Sequence, residues 1–245
     1  MYNQEWFLHS KTREYSRHLQ YAKDDINRAV DIGKFVISWS TGKDSTAMCH
    51  LIKSMYPDTP IMIQFDDCDW PEKRRYATKI TAKYGWEVNE VIPGFSVWEL
   101  AQKSKIGYDE LCSQSHELTK KSFLELLEKK RLELKCIGSF LGLRAEESRG
   151  RMVNMATRGE LYKVNSGAWR CCPLGRWTVL DVFAYLASNS IPVNPCYFHN
   201  AISSPENIRL SWALPTPQGA RRGDIEHIRR YYPEQYRRLR NILVI

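Results

Sequence analysis

The sequence predicts an α/β fold: an open, mostly parallel, twisted sheet with helices on both faces. Short β-branched and apolar runs alternate with longer segments of helical periodicity, which is the pattern of a parallel sheet covered on both sides. At 245 residues, 43% hydrophobic and 26% charged, the chain is long enough for one large domain and has the composition of a globular protein.

The elements are predicted in order along the chain. The first is a helix from about Tyr15 to Ile32, with Gly33 as its natural stop. Its apolar stripe consists of Leu19, Ala22, Ile26 and Val30. The predicted strands are 34–39, 60–65, 86–92 and 135–142. The later predicted helices are 44–55, 71–84 and 118–132, and Pro71 suits the first turn of its helix.

A loop rich in hydroxyl residues joins the first strand to the next helix. It reads Ser40-Thr41-Gly42-Lys43-Asp44-Ser45 and follows Ser38 closely. A turn that enters a helix directs several backbone N–H groups at one point, which suits a phosphate or pyrophosphate. A Walker A loop is excluded, because Ile37 stands where its first glycine belongs and Asp44 follows Lys43. The loop therefore predicts a nucleotide site of another kind.

Two further segments fall at the carboxyl edge of the predicted sheet, where such sheets bind ligands. The stretch 142–151 follows strand four and contains Gly142, Arg144, Ser148 and Arg151. Because guanidinium groups bind phosphate in a bidentate manner, we interpret this stretch as a phosphate-binding loop.

A group of aspartates follows strand two at the same edge. The carboxylates of Asp66 and Asp67 are placed to accept hydrogen bonds from ribose hydroxyls or the adenine amine. The alternative is that these aspartates are turn residues before Pro71, and for Asp69 we prefer that interpretation.

The motifs together resemble one known family. The loop 40–45 is similar to the SGGKDS pyrophosphate loop, with Thr41 in place of the first glycine. Segment 142–151 is similar to G-x-R-x-x-E/Q-S-x-x-R. Segments 173–186 and 191–197 are similar to P-L-x-x-W-x-x-x-D-V-x-x-Y-L and I-P-x-N-P-x-Y. Residues 20–200 therefore resemble the phosphoadenosine phosphosulfate (PAPS) reductases and the related ATP pyrophosphatases.

The resemblance implies a fold and a reaction. It implies an adenine nucleotide alpha hydrolase-like, Rossmann-like domain at 1–200, with a helical lead-in at 1–33 and a C-terminal helical extension at 201–245. It also implies that the chain binds ATP or another adenine nucleotide, and that it cleaves ATP to AMP and pyrophosphate to activate a second substrate. Sulfur transfer after this adenylation is left open.

The family motifs also imply site residues. The implied catalytic residues are Lys43, Asp44, Arg144 and Arg151, and Asp44 is the implied ligand of Mg²⁺. The implied nucleotide-binding residues are Ser38, Ser40, Thr41, Gly42, Lys43, Asp44, Ser45, Asp66, Asp67, Gly142, Arg144 and Ser148.

The cysteines depart from the pattern of the reductases. Those enzymes carry a catalytic cysteine in a C-terminal E-C-G-L-H tail, whereas no cysteine follows Cys196 in this sequence. None of the seven cysteines forms a C-x-x-C motif, so we expect neither reduction nor an iron–sulfur cluster. Cys171 and Cys172 are candidates for a sulfur relay. A sulfonucleotide reductase with atypical cysteines is the alternative.

The end of the chain is basic and rich in aromatic residues. The formal net charge is +8, and much of the excess lies in 221–240. Such a segment is either a surface for nucleic acid or an amphipathic helix whose arginines face water. We favour the packed helix, with Ile225, Ile228, Tyr232 and Leu239 as its inner face. A nucleotide-binding accessory protein of a nucleic-acid-modifying or defence system is the third functional alternative.

Location and partners follow from what the sequence lacks. The N-terminus has no basic segment followed by an apolar core, and no apolar run is long enough to span a membrane. We therefore expect a cytoplasmic protein without a membrane partner. The expected partners are an adenine nucleotide and an unidentified second substrate, while nucleic acid and a homodimer are left open.

Overall fold

A computed structural model describes residues 3–103, 120–199 and 224–242. Six strands lie within these ranges: β1 (Phe35–Ser38), β2 (Ile61–Gln64), β3 (Val88–Val91), β4 (Gly138–Leu141), β5 (Leu161–Lys163) and β6 (Trp169–Cys171). They form one sheet, which positions everything described below.

Ten α-helices lie within the same ranges: α1 (Gln4–His9), α2 (Arg13–Ile32), α3 (Lys43–Met55), α4 (Pro71–Tyr84), α5 (Val97–Lys103), α6 (Glu125–Glu133), α7 (Arg149–Arg158), α8 (Val179–Ser188), α9 (Asp224–Tyr231) and α10 (Pro233–Ile242). A π-helical turn at Lys120–Leu124 precedes α6, and 3₁₀ turns occupy Ala145–Glu147 and Pro195–Phe198.

The strand order is β3-β2-β1-β4-β6-β5, and every pair is parallel except β5–β6. This confirms the predicted open, mostly parallel α/β architecture. The chain first builds the sheet on one side of β1 and later returns to its other side at β4. Ligands bind to such sheets at the carboxyl ends of the strands where the order reverses. The ends of β1 and β4 therefore define the candidate crevice.

The core explains why these segments form these elements. Phe35, Val36 and Ile37 of β1 are each at most 2% exposed, as expected for a central strand covered on both faces. The predicted first helix is confirmed as α2, which buries Ala22 and Ile26 completely. α4 has the predicted bounds.

Two predicted segments need correction. The helix predicted at 118–132 begins, within the described residues, as a π-helical turn and becomes α-helical at Glu125; 118 and 119 lie outside them. The stretch 142–151 is also not a continuous loop, because α7 begins at Arg149. Ser148 is the N-cap of α7, and its hydroxyl accepts a hydrogen bond from the Arg151 N–H at 3.2 Å. Serine is among the best N-cap residues, so it starts a helix there.

A buried carboxylate attaches the N-terminal helices to the body. Asp181 of α8 is completely buried and lies 2.7 Å from Nε2 of His9 and 2.9 Å from Nδ1 of His18. Burial raises the pKa of Asp181, but hydrogen bonds from His9, Thr178 and His18 outweigh it and lower the pKa overall. The predicted helical lead-in at 1–33 did not separate α1 from α2, and this contact was not predicted.

The C-terminal segment packs on the body as two helices rather than one, since Pro233 starts the second. Ile228, Tyr232 and Leu239 are at most 3% exposed, and Ile225 is partly buried. This confirms the predicted inner face. Arg221, Arg222 and Cys112 lie outside the described residues. In the described parts of the chain, no helix is both long and apolar enough to cross a membrane.

Candidate nucleotide-binding site

The loop 40–45 links the end of β1 to the first turn of α3. Thr41, which replaces the first glycine of the family loop, has a φ of 63° and is 3% exposed. This left-handed conformation is uncommon for a β-branched residue and indicates a constrained turn. Gly42 is the N-cap of α3 and makes no side-chain capping bond. Gly42 therefore offers no side chain to the first-turn N–H groups of α3, a feature of anion-binding helix termini, although the Lys43 N–H donates to the Tyr197 hydroxyl at 3.2 Å.

Side-chain hydrogen bonds hold the loop in shape. The Ser45 hydroxyl donates to the Gly42 carbonyl at 3.1 Å and accepts from the Ser40 N–H at 3.2 Å. The hydroxyls of Ser40 and Ser45 are 3.0 Å apart. The predicted residues Ser40, Gly42 and Ser45 are thus brought together, and both serines shape the turn.

Gly142 lies at the end of β4 and lets that strand approach the loop. A Cβ atom at this position would be 2.9 Å from the Ser45 Cα and backbone N atoms. Because both contacts are to backbone, only glycine fits without a shift of the loop. Gly142 therefore sets the distance between the two sides of the crevice.

Lys43, Asp44 and Arg144 form a buried charge network. Asp44 Oδ2 lies 3.1 Å from Lys43 Nζ, and Asp44 Oδ1 accepts a 2.6 Å hydrogen bond from Arg144 Nε. Lys43 is 3% exposed and Arg144 is 1% exposed. Burial raises the pKa of Asp44, but the charges of Lys43 and Arg144 outweigh it, so the pKa lies below its ordinary value. The carboxylate is therefore ionised at neutral pH.

The network bears on the predicted Mg²⁺ ligand. Both oxygens of Asp44 are already held by cationic groups, whereas Mg²⁺ requires an available carboxylate oxygen. As long as Lys43 pairs with Asp44, the carboxylate has no available oxygen for Mg²⁺, and no step is assigned to an ion there.

The two predicted arginines of 142–151 contact carboxylates. Arg144 forms ion pairs with Asp44 and Glu146 and lies beneath the surface. Arg151 pairs with Glu147, and its side chain is 39% exposed. Arg144 is therefore placed to hold Asp44 and the first turn of α3, while Arg151 is the more accessible of the two cations.

The predicted ribose or adenine ligands are also engaged within the protein. Asp66 Oδ1 accepts from the Cys68 N–H at 2.9 Å. Asp67 Oδ1 accepts from the Val97 N–H at 2.9 Å, at the start of α5, and its Oδ2 accepts from the Ser96 hydroxyl. Asp67 therefore orders the start of α5. Ser38 lies within β1, where it is paired in register with Met62 and Leu141.

The two adjacent cysteines are buried. Cys171 is completely buried, and Cys172 is 1% exposed. Burial raises the pKa of both thiols, that of Cys172 to about 12. Thiolates are the reactive form of cysteine, so neither side chain has the properties that a sulfur relay requires in this conformation.

Tyr197 is a site residue that the sequence prediction did not assign. Its hydroxyl accepts a 3.2 Å hydrogen bond from the Lys43 N–H, and its ring centroid lies 5.3 Å from Lys43 Nζ. Tyr197 ends the I-P-x-N-P-x-Y motif, so the sequence did mark this residue. The sequence did not show its contact with Lys43, which lies 154 positions away.

A comparison with protein-family models assigns the fold to a family. The model of the phosphoadenosine phosphosulfate reductase domain matches residues 34–239, which include both sides of the crevice and most of the C-terminal helices. The chain belongs to this family. It is a nucleotide-binding protein of this family, and its relatives include proteins of sulfur metabolism.

Curated relatives include two kinds of enzyme. A phosphoadenosine 5'-phosphosulfate reductase of Xanthomonas axonopodis pv. citri is 28% identical over 176 residues, covering 68% of this chain and 67% of the relative. A sulfate adenylyltransferase subunit 2 of Alkalilimnicola ehrlichii is 25% identical over 222 residues, covering 78% and 70%.

Solved structures share the fold at low identity. A PAPS reductase from Candida auris, solved as a phosphate complex, has a TM-score of 0.53 at 19% identity and covers 71% of this chain and 82% of its own. An FMN adenylyltransferase of Candida glabrata has a TM-score of 0.56 at 14% identity, covering 78% and 63%. A U34-tRNA thiolase of Methanococcus maripaludis with a 4Fe-4S cluster has a TM-score of 0.54 at 16% identity, covering 93% and 79%.

Proposed function

We propose that this member of the PAPS reductase family binds ATP at the loop 40–45 and transfers AMP to a second substrate, with release of pyrophosphate. The observation that carries the proposal is the first turn of α3. It combines a glycine N-cap, a left-handed turn at Thr41 and a buried lysine at the reversal point of the sheet.

The electrostatics of this turn suit a leaving pyrophosphate. In the reaction, an acceptor oxygen of the second substrate attacks the α-phosphorus, and the bond to the bridging oxygen breaks. The electron pair stays on the departing pyrophosphate, and any proton on the acceptor passes to solvent. Donors preorganised around the leaving oxygens stabilise that charge. The first-turn N–H groups and Lys43 are the groups proposed to supply it.

Arg144 is proposed to act through Asp44. Lys43 must turn from Asp44 to the phosphates to bind them, which leaves the carboxylate with Arg144 alone. The 2.6 Å hydrogen bond from Arg144 keeps Asp44 paired during that exchange. Arg144 is thus a positioning residue in this proposal, and Arg151 is the arginine that remains available to the outer phosphates.

The described cysteines favour adenylation over reduction. Sulfonucleotide reduction needs a nucleophilic thiolate, whereas all six cysteines in the described ranges are buried. Burial raises the pKa of each of them. Two similar proteins, the sulfate adenylyltransferase subunit and the FMN adenylyltransferase, carry adenylyl transfer in their names, and the latter was solved with an ATP analog.

The experiment compares nucleotides and their products. Purified protein is incubated with ATP or with PAPS plus a thiol reductant, and AMP, ADP, pyrophosphate and sulfite are measured. ATP–pyrophosphate exchange with candidate acceptors tests formation of an adenylate. Formation of AMP and pyrophosphate that is lost in Lys43→Ala and kept in Lys79→Ala, an exposed lysine of α4, is the expected result. Sulfite from PAPS, or ADP from ATP, contradicts the proposal.

A further inference from the structure

A cluster of aromatic side chains lies beside the candidate site. We call Trp70, His199, His227, Tyr231 and Tyr232 the aromatic cluster. Its closest ring pairs are Trp70–Tyr232, with centroids 4.4 Å apart, and His227–Tyr231, with centroids 4.9 Å apart. His199 stacks on Tyr231 at 5.3 Å. The cluster joins the start of α4, the turn after Tyr197 and the helix α9.

Two buried polar atoms at this cluster, Trp70 Nε1 and His227 Nε2, have no hydrogen-bond partner. The buried Tyr232 hydroxyl and the Glu72 carboxylate lie next to each other, and Glu72 Oε1 lies 3.5 Å from His199 Nε2. The side chains of Trp70, His227 and Tyr232 belong to residues that are 4%, 8% and 3% exposed. Leaving a buried donor or acceptor without a partner costs about 1–3 kcal/mol, so folded proteins rarely concentrate such atoms in one place. This concentration points to a ligand that supplies the partners.

The chemistry of these atoms defines the ligand. An indole N–H only donates, a carboxylate oxygen only accepts, and a phenol does both. Burial and nearby His199 lower the pKa of His227, which favours the neutral imidazole, and burial and Glu72 raise the pKa of Tyr232. The matching group carries donors and acceptors together and is flat enough to lie against aromatic rings. A nucleobase has these properties.

The outer edge of the cluster suits a charged polymer. Arg230 lies over the Tyr231 ring, with 5.7 Å from Cζ to the centroid, and Phe198 is 49% exposed. α9 and α10 together carry five arginines against three acidic residues, and all five arginines are exposed. Aromatic side chains next to exposed arginines form the stacking and phosphate-binding surface typical of single-strand binders.

The cluster is also connected to the loop 40–45. Tyr197, two residues before His199, accepts the hydrogen bond from the Lys43 N–H. Cys196 and Tyr197 pack in the same buried apolar cluster as Trp70 and Tyr232. A group held at the aromatic cluster would therefore lie near the nucleotide.

A metal ion is a poorer explanation. In the described residues, the set of three potential metal ligands whose atoms converge is Asp66, Asp67 and Cys68, and not Glu72 with the two histidines. Asp66 and Asp67 are moreover used in hydrogen bonds to backbone N–H groups.

We propose that the aromatic cluster is a nucleobase-binding site for single-stranded nucleic acid, and that this nucleic acid is the second substrate. Only the assignment of the nucleic acid as the second substrate rests on the proposed function, because binding at the cluster needs no ATP. Trp70 and His227 contact the base edge, the base extends the existing stack of His199 on Tyr231, and the arginines of α9 and α10 contact phosphates.

The test measures binding of fluorescein-labelled 12-residue oligonucleotides by anisotropy, without ATP. Single-stranded RNA, single-stranded DNA and duplex DNA are compared at several salt concentrations. We expect binding of a single strand that weakens steeply with salt, by a log–log slope of about −0.7 per phosphate contact. Tyr231→Ala is expected to weaken it about tenfold or more, the scale of one lost stacked base.

Matched controls come from a second cation–aromatic pair. Arg158 lies 4.6 Å over the Tyr162 ring, away from the cluster on α7 and β5. Tyr162→Ala and Arg158→Gln are expected to change oligonucleotide binding less than twofold. In the cluster itself, Arg230→Gln should weaken binding without disturbing the core. Equal binding of duplex and single strand, no binding, or equal effects of Tyr231→Ala and Tyr162→Ala would overturn the inference.

ATP binding, measured by calorimetry on the same variants, separates the two proposals. If ATP binds and the oligonucleotides do not, the inference fails and the adenylation proposal stands. If the oligonucleotides bind but no nucleotide does, the adenylation proposal fails and the base-binding site stands.

Discussion

The carboxylate of Asp44 accepts a 2.6 Å hydrogen bond from Nε of Arg144, a residue 100 positions away. Asp44 lies in the first turn of α3, and Arg144 follows β4. The pair therefore joins the two chain segments that border the crevice. Both side chains are shielded from solvent. An ion pair in such a low-dielectric environment keeps its geometry better than one at the surface.

Removing Arg144 is expected to destabilise the protein strongly. In Arg144→Ala, Asp44 keeps Lys43 but loses the 2.6 Å hydrogen bond from Arg144, and breaking a buried pair by deleting one member costs about 3 kcal/mol or more. Urea unfolding followed by circular dichroism measures this loss. Arg151→Ala is the control, because Arg151 pairs with Glu147 at a 39% exposed side chain and should cost less than about 1 kcal/mol. Similar losses in both variants would show that the Asp44 link is not special.

Lys43→Ala is expected to weaken ATP binding and also to lower the free energy of unfolding, because Lys43 is a buried partner of Asp44. A hydrogen bond from a charged group contributes about 1.5–3 kcal/mol, so the dissociation constant should rise about tenfold to a hundredfold. Asp44 stays paired with Arg144 in this variant, so the carboxylate keeps one cationic partner. Calorimetry with a non-hydrolysable ATP analog gives the affinity. An unchanged affinity would remove Lys43 from the phosphate site.

The approach of β4 to the loop gives a test with a glycine control. Gly142→Ala places a Cβ 2.9 Å from Ser45 backbone atoms, so the loop must shift. We expect the free energy of unfolding to fall by about 1–3 kcal/mol, and ATP affinity to fall with it. Gly150→Ala meets nothing within 4 Å on the helix α7, so helix propensity should leave stability equal or raise it by up to about 1 kcal/mol. Thermal unfolding and calorimetry of both variants check the contrast, and a tolerated Gly142→Ala would contradict it.

Asp44 should contribute stability at neutral pH that is lost in acid. Burial raises the pKa of Asp44, but Lys43 and Arg144 hold it below the ordinary value of 3.8. A carboxyl with a depressed folded pKa stabilises the fold above its unfolded pKa, and this contribution disappears as the pH falls through the folded pKa. The difference in unfolding free energy between the unmodified protein and Asp44→Asn should therefore shrink below about pH 4. A difference that grows on acidification would show that the pKa is raised.

The helices that the sequence predicted best have local signals at both ends. Pro71 at the first position and Gly85 in a left-handed conformation bound α4, and both signals are readable without the fold. β5 and β6 were missed because three-residue strands carry too little periodicity to be recognised. The antiparallel pairing of β5 with β6 is local, whereas the parallel pairing of β6 with β4 is a longer-range contact that no local pattern encodes.

The candidate site shows the same division. The loop 40–45 was predicted because its chemistry is contiguous in sequence. Arg144 contacts Asp44 across 100 positions, and Tyr197 contacts Lys43 across 154 positions. The sequence alone suggested phosphate contacts for Arg144 and no role for Tyr197. Both contacts form between buried groups that meet only in the folded chain, so no local sequence pattern shows them.

The last prediction concerns the adjacent cysteines. Burial raises the pKa of Cys171 and Cys172, so these thiols should react slowly with an aromatic disulfide reagent at about pH 8 until the protein is unfolded. Cys171→Ala and Cys172→Ala should then retain AMP and pyrophosphate formation from ATP. Adenylation would survive these substitutions with a sulfur relay as well, so the persulfide is the measurement that separates the two cases. A relay predicts a persulfide on the native protein after incubation with a sulfur donor, detected by mass spectrometry and lost in the variants. Finding that persulfide on either cysteine would require a conformation in which the pair is exposed, and would restore sulfur transfer as the step after adenylation.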